Sequence, residues 1–184
     1  MRVYKFLNAQ FGMKSIKEKR LKISTVDDLN DPFELLPFGM EDKTKRIALN
    51  LARSTWAAEH GILCFSADWR DPVIWAHYSD KHRGLCLGFE IPHEVVGSQT
   101  QRVEYISDPL PFPADFARLE DTTRQEMVKK MMCTKYRNWE YEHEIRTWTD
   151  LEEEFFDFCE TLRLAEVIIG AECQIPIGDV MHGL

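Results

Sequence analysis

Trp139-Glu-Tyr-Glu-His-Glu-Ile-Arg-Thr-Trp148 is the stretch whose reading decides the fold. Glu140, Glu142, Glu144 and Arg146 alternate with Tyr141, His143, Ile145 and Thr147. A period of two predicts one strand, with three carboxylates and a guanidinium on a single face. Like charges side by side on a strand repel, so this row needs water, a cation or a ligand opposite it. Two readings stay open. The row is a solvated face on which Arg146 offsets its neighbours by local ion pairing, or it is a carboxylate site on a rigid element that locks its rotamers.

Outward from this strand, the flanking chain predicts a mixed architecture. Thr123-x-x-Glu126 reads as a capping box opening a helix with Val128, Met131 and Met132 on its apolar side. Arg102–Ile106 alternates as a strand, and Pro109, Pro111 and Pro113 hold an extended connection after it. Downstream, Phe155–Cys159 and Ala165–Ile169 read as strands, with Gly170 as a stop.

In the N-terminal half, Val3–Phe6 and Leu21–Ser24 read as strands around a helix that turns Phe11 and Ile16 inward. Its Lys14 and Lys17, with Lys19, Arg20 and Lys22 beyond, make a solvated basic face. Thr25-x-x-Asp28 is a second capping box, and Asn30-Asp-Pro-Phe33 breaks what it starts, because Pro32 disfavours helix at Asp31. Glu34 emerges from that turn. Lys43–Glu59 predicts a helix with Ile47, Ala48, Leu51, Ala52, Trp56 and Ala58 as its buried stripe, stopped by Gly61. Ile62–Ser66 and Leu85–Phe89 are near-continuous apolar runs, hence strands inside a sheet, and Pro72 opens a short helix through Tyr78. Without a strict strand–helix alternation, the chain is expected to be α+β: one domain over residues 1–184, with a mixed, mainly antiparallel sheet and flanking helices.

Composition narrows the function. The chain has 184 residues, 44% hydrophobic and 29% charged, with a formal net charge of −8. An acidic balance argues against general nucleic-acid binding. Five scattered cysteines without a Cys-x-x-Cys pair signal neither a zinc ribbon nor a redox motif. Cys64 and Cys86 lie in apolar runs and are expected to be buried free thiols, which fits a reducing compartment, the cytoplasm. Lys5 interrupts the first apolar run, so no signal peptide is expected, and no run is long enough to span a bilayer.

Trp75-Ala-His-Tyr-Ser-Asp-Lys-His82-Arg-Gly84 is the second dense stretch. On a helix Trp75, Tyr78 and Ser79 share a face, while His77 and Lys81 share another. Trp75 and Tyr78 read either as core aromatics with satisfied polar tips or, with Arg83, as the lining of a pocket for a planar or anionic ligand. His77 and His82 are five apart, a poor metal pair, and no metal is expected. There is no Gly-x-Ser-x-Gly elbow and no phosphate-cradling glycine loop. A metal-dependent nuclease would draw its acids from Glu142 and Glu144, with Arg146 where a lysine would be welcome.

Val3-Tyr-Lys-Phe6, Leu21-Lys-Ile-Ser24, Leu29-Asn-Asp-Pro-Phe-Glu34, Cys64-Phe-Ser66, Trp75-Ala-His-Tyr78, His82-Arg-Gly-Leu-Cys-Leu-Gly-Phe89, Trp139-x-x-Glu-x-Glu-x-Arg146 and Val167-Ile-Ile-Gly170 occur in that order. With these motifs the chain resembles the bacterial domain-of-unknown-function family 2971, with Leu29 in place of an aromatic. The resemblance suggests a setting in phage defence or a toxin system. More distantly, a first strand with a basic residue, an apolar strand ending in Ser and a late Glu-x-Glu are similar to ADP-ribosyltransferases. That likeness implies NAD as substrate, Lys5 in place of the usual His or Arg, Ser66 on the middle strand, and Glu142 or Glu144 as the catalytic acid. It further implies Trp75 or Tyr78 against the nicotinamide and Arg83 or Arg146 on the diphosphate. The alternatives are a non-catalytic module of a defence system, binding a small molecule or a protein partner, and the metal-dependent nuclease.

Overall fold

Six strands hydrogen-bond side by side in the order Arg163–Ile169, Leu85–Glu90, Arg2–Leu7, His60–Ser66, Glu144–Asp150 and Thr100–Arg102, every neighbouring pair antiparallel, in a computed structural model of the chain. It describes all residues except Pro32, Met40, 95–98, 113–119 and Leu184, and gives the backbone alone at Asp121, Arg124 and Gln125. The strands are β1 (Arg2–Leu7), β3 (His60–Ser66), β4 (Leu85–Glu90), β5 (Thr100–Arg102), β8 (Glu144–Asp150) and β10 (Arg163–Ile169). Two short pairs lie outside this sheet: β2 (Arg20–Lys22) with β9 (Phe155–Asp157), antiparallel, and β6 (Glu104–Ile106) with β7 (Thr134–Tyr136), parallel. The helices are α1 (Ala9–Glu18), α2 (Lys43–Glu59), α3 (Pro72–Tyr78), α4 (Asp121–Cys133) and α5 (Ile177–Gly183). The class is α+β with a mostly antiparallel sheet and flanking helices, as expected. No helix among the described residues is long and apolar enough to cross a membrane.

Both faces of the sheet are covered. Val3, Leu63, Phe65, Leu87, Phe89 and Ile145 bury one face together with Ile16 of α1, Leu21 of β2 and Val180 of α5. The opposite face carries two clusters. Phe6 and Cys86 pack on Ile74 and Trp75 of α3, and Ile62 and Trp148 pack with Leu49 of α2 and Met127 and Met131 of α4. Strands covered on both sides must be apolar throughout, which is why β3 and β4 are near-continuous hydrophobic runs.

Several local expectations are corrected. The acidic stretch is not one strand: Arg137–Glu142 forms 3₁₀ turns, His143 is left-handed at φ 43°, and β8 begins only at Glu144. Glu140 is therefore exposed and pairs with Arg137. α2 has its predicted bounds but a rotated buried face: Leu49 is fully buried, whereas Ile47 and Leu51 are 61% and 66% exposed and Ala58 is exposed. Gly61 does not stop α2 but lies in β3, where an added Cβ would come within 2.2 Å of Ile23. Phe11 faces solvent at 56% exposure, and Gly12 and Ile16 take the inner side of α1. The α4 capping box does not form, since Glu120 is the N-cap and the helix opens at Asp121. Residues 102–106 divide at Val103 into the last residue of β5 and the whole of β6. Lys81 lies beyond α3 with φ 55° and shares no helix face with His77.

Other expectations hold in whole or in part. Asp28 accepts hydrogen bonds from the backbone and hydroxyl of Thr25, closing the first capping box. Lys14, Lys17, Lys19 and Lys22 are exposed, whereas Arg20 is half-buried, paired with Glu18 and stacked over Phe155. All five cysteines are free; Cys86 is buried as expected, Cys64 is half-buried, and desolvation pushes both thiols up. The expectations at Pro32 and Pro113 lie outside the described residues.

Candidate active site

β1 and β3 pair at a single position, Tyr4 opposite Ser66. Where the two strands part, a cavity of about 210 Å3 opens between them. β8 continues the same row, because Ser66 pairs with Glu144. Side chains two apart share a strand face, so Ser66, Glu144 and Arg146 project from one side of the sheet. Lys5, Ser66, Tyr78, Glu142 and Glu144 all line the cavity, together with Lys135.

Lys135, from the short strand β7, is the hub. Its ammonium lies 2.7 Å from Glu142 Oε2, 3.1 Å from Glu144 Oε2 and 3.3 Å from Glu34 Oε1, and its side chain is 4% exposed. It also sits 4.8 Å above the Trp139 ring. Behind it, Arg146 is fully buried and grips Glu144 through Nε at 2.8 Å and Nη2 at 3.0 Å. The same Nη2 donates to Glu34 Oε1 at 2.8 Å, and Nη1 donates to the Met132 carbonyl. The break at His143 does not separate the two candidate acids, because one ammonium holds both. Three carboxylates and two cations thus form a buried ion cluster beneath the cavity.

Their proton affinities are driven apart. Burial, then repulsion from Glu144, raises the Glu142 carboxyl above its ordinary value although Lys135 and Tyr78 donate to it. Burial likewise raises Glu34, only partly opposed by Arg146. Burial also works against ionising Glu144, but the two-pronged grip of Arg146 and the charge of Lys135 outweigh it and hold that carboxyl at about 2. Burial opposes the charge on Lys135 too, yet its three carboxylates keep the ammonium protonated. Two neighbouring carboxyls thus sit in environments that push their proton affinities in opposite directions.

The rim is hydrogen-bonded. Tyr78, the last residue of α3, donates to Glu142 Oε1, and Asn30 donates to the Tyr78 hydroxyl. Next to it, His77 Nδ1 meets the Tyr141 hydroxyl at 2.9 Å. Lys5 donates to the Cys64 carbonyl at 3.0 Å, across the gap between the parted strands. Ser66 Oγ accepts from Asp68 N and donates to its carbonyl, tying the turn after β3.

Three anticipated ligand contacts lie elsewhere. Trp75 is 6% exposed, donates from Nε1 to the Trp69 carbonyl and packs edge-on against Phe6. It is a core aromatic with its polar tip satisfied and does not line the cavity. Arg83 pairs with Asp80 on the outer surface. Arg146 is fully buried against Glu144 and Glu34 and does not line the cavity. Lys135 and Glu34 escaped the sequence reading. Glu34 had a signal in the Asn-Asp-Pro-Phe-Glu turn, whereas a lone lysine after a helix had none.

No protein-family model, curated protein or solved structure matches the chain.

Proposed function

We propose that the cavity takes the nicotinamide–ribose end of NAD and breaks its N-glycosidic bond, passing ADP-ribose to water or another acceptor. The observation that supports this is the row of Tyr4, Ser66 and Glu144 across β1, β3 and β8, open to one cavity with Lys5 and Glu142. The cavity is below the roughly 300–1,000 Å3 usual for small-molecule sites, so it suits one end of a dinucleotide.

In this reading the bond between ribose C1′ and the pyridinium nitrogen breaks, and its electron pair leaves with neutral nicotinamide. The ribose is left oxocarbenium-like, and the ionised Glu144 stabilises that charge. Glu142, with its raised proton affinity, is the stronger base and takes the proton of the attacking hydroxyl. Entry of the sugar exchanges one of the hydrogen bonds on these carboxylates for a ribose hydroxyl. Among the described residues the one hydrogen-bond partner of Lys5 is the Cys64 carbonyl, and its ammonium is offered to the phosphate.

The test is nicotinamide release from NAD by the purified chain. Glu142→Gln and Glu144→Gln each lower it by about 100-fold or more, while circular dichroism verifies their folding. Absence of both turnover and calorimetric NAD binding ends this reading. One observation favours a second: the oxygens of Glu142 and Glu144 already have donors, which suits a non-catalytic module that binds its ligand through Lys5 and the rim. Such a module binds NAD or another small molecule and releases nothing. The nuclease reading loses support, since the Lys135 ammonium stands where the metal would have to bind.

A further inference from the structure

A second cavity, about 330 Å3, is lined by all three residues of β7 and shares only Lys135 with the first among the described residues. Its floor is apolar, formed by Leu36, Phe38 and Ile106. The wall is pre-formed: Leu110 N donates to the Pro37 carbonyl at 2.7 Å, and Gly39 N donates to the Leu110 carbonyl at 2.9 Å. Phe33 and Tyr136 line it and stay 64% and 49% exposed. Two large aromatic rings left open beside an apolar floor are what a ligand would cover.

The charges around the cavity select among ligands. Asp31 and Asp108 line it, the first 4% exposed with Oδ1 accepting from Phe33 N, the second exposed. Among the described residues Lys135 is the only basic residue lining it, and that ammonium is held by three carboxylates at the first cavity. The second cavity is therefore acidic and aromatic with no cation of its own. Aromatic faces and carboxylates together attract organic cations, and the formal charge of −8 adds long-range attraction.

We infer that this cavity is a second ligand site, specific for an alkylammonium cation, its charged head between Phe33, Tyr136 and the aspartates and its apolar part on Leu36 and Phe38. The site is independent of NAD cleavage and stands whether or not the first cavity is catalytic.

Choline is the probe, with 3,3-dimethylbutanol as its uncharged isostere, each titrated into the full chain and followed by ligand-observed NMR. Choline binds saturably and the isostere about 10-fold or more weaker. Phe33→Ala and Tyr136→Ala, both at exposed positions, each weaken choline about 3- to 30-fold, the range of one cation–π contact. Asp108→Asn weakens choline and leaves the isostere unchanged. Equal binding of the two probes, no saturation by choline, or undiminished choline binding in the aromatic variants overturns the assignment.

Discussion

Lys135 is the side chain on which the candidate site turns. It stands among Glu34, Glu142 and Glu144, and with Arg146 it balances most of their charge in a space water hardly enters. Buried ion pairs contribute little over an apolar replacement of the whole set, but removing one partner leaves charge unpaired. Lys135→Met, which keeps an unbranched apolar stem and drops the charge, is therefore expected to cost about 3–5 kcal/mol in urea unfolding. The two acids were legible as a pair because they lie close in sequence. Their partner was not, because Thr134-Lys-Tyr136 has no pattern of its own. It reaches the acids only because β7 pairs with β6 and the 3₁₀ turns after it fold back.

Elements show where periodicity works and where it fails. β3 and β4 were legible as buried strands because cover on both faces demands apolar residues throughout. The alternating stretch 139–148 obeys the strand period over its whole length, but β8 pairs with β3 only from Glu144 onward. The residues before it fold as 3₁₀ turns that present Glu142 and Tyr141 to α3. α2 gives a sharper case. Its bounds follow from Asp42, whose carboxylate accepts from Thr44 N and Lys45 N, but its apolar residues lie on more than one face. Packing on Ile62 and Trp148 selects Leu49. Leu49→Ala should accordingly cost about 2–5 kcal/mol, whereas Leu51→Ala stays within about 0.5 kcal/mol, as denaturant midpoints will show.

At the scale of the whole molecule, the ion cluster makes stability depend on pH in two opposite ways. Glu34 and Glu142 hold protons more tightly folded than the ordinary carboxyl value of 4.5. The folded state thus binds more protons above 4.5, and stability rises as pH falls from neutral towards that value. Glu144, held at about 2, acts the other way: its contribution is full above 4.5 and is lost as pH falls from there through 2. Urea midpoints from neutral to pH ~3 should pass through a maximum on the mildly acidic side. Glu34→Gln should flatten the neutral limb and leave the acidic limb in place.

The amino-acid sequence by itself determined the α+β class, the buried strands and the closeness of Glu142 to Glu144, because burial period, capping residues and short chain separation are local properties. Only the tertiary structure decided that β1 and β3 part to open a cavity, that Lys135, Glu34 and Arg146 meet the acids, and that Trp75 and Arg83 turn away. Those outcomes depend on strand order and on long-range pairing of charges, for which adjacency along the chain carries no signal.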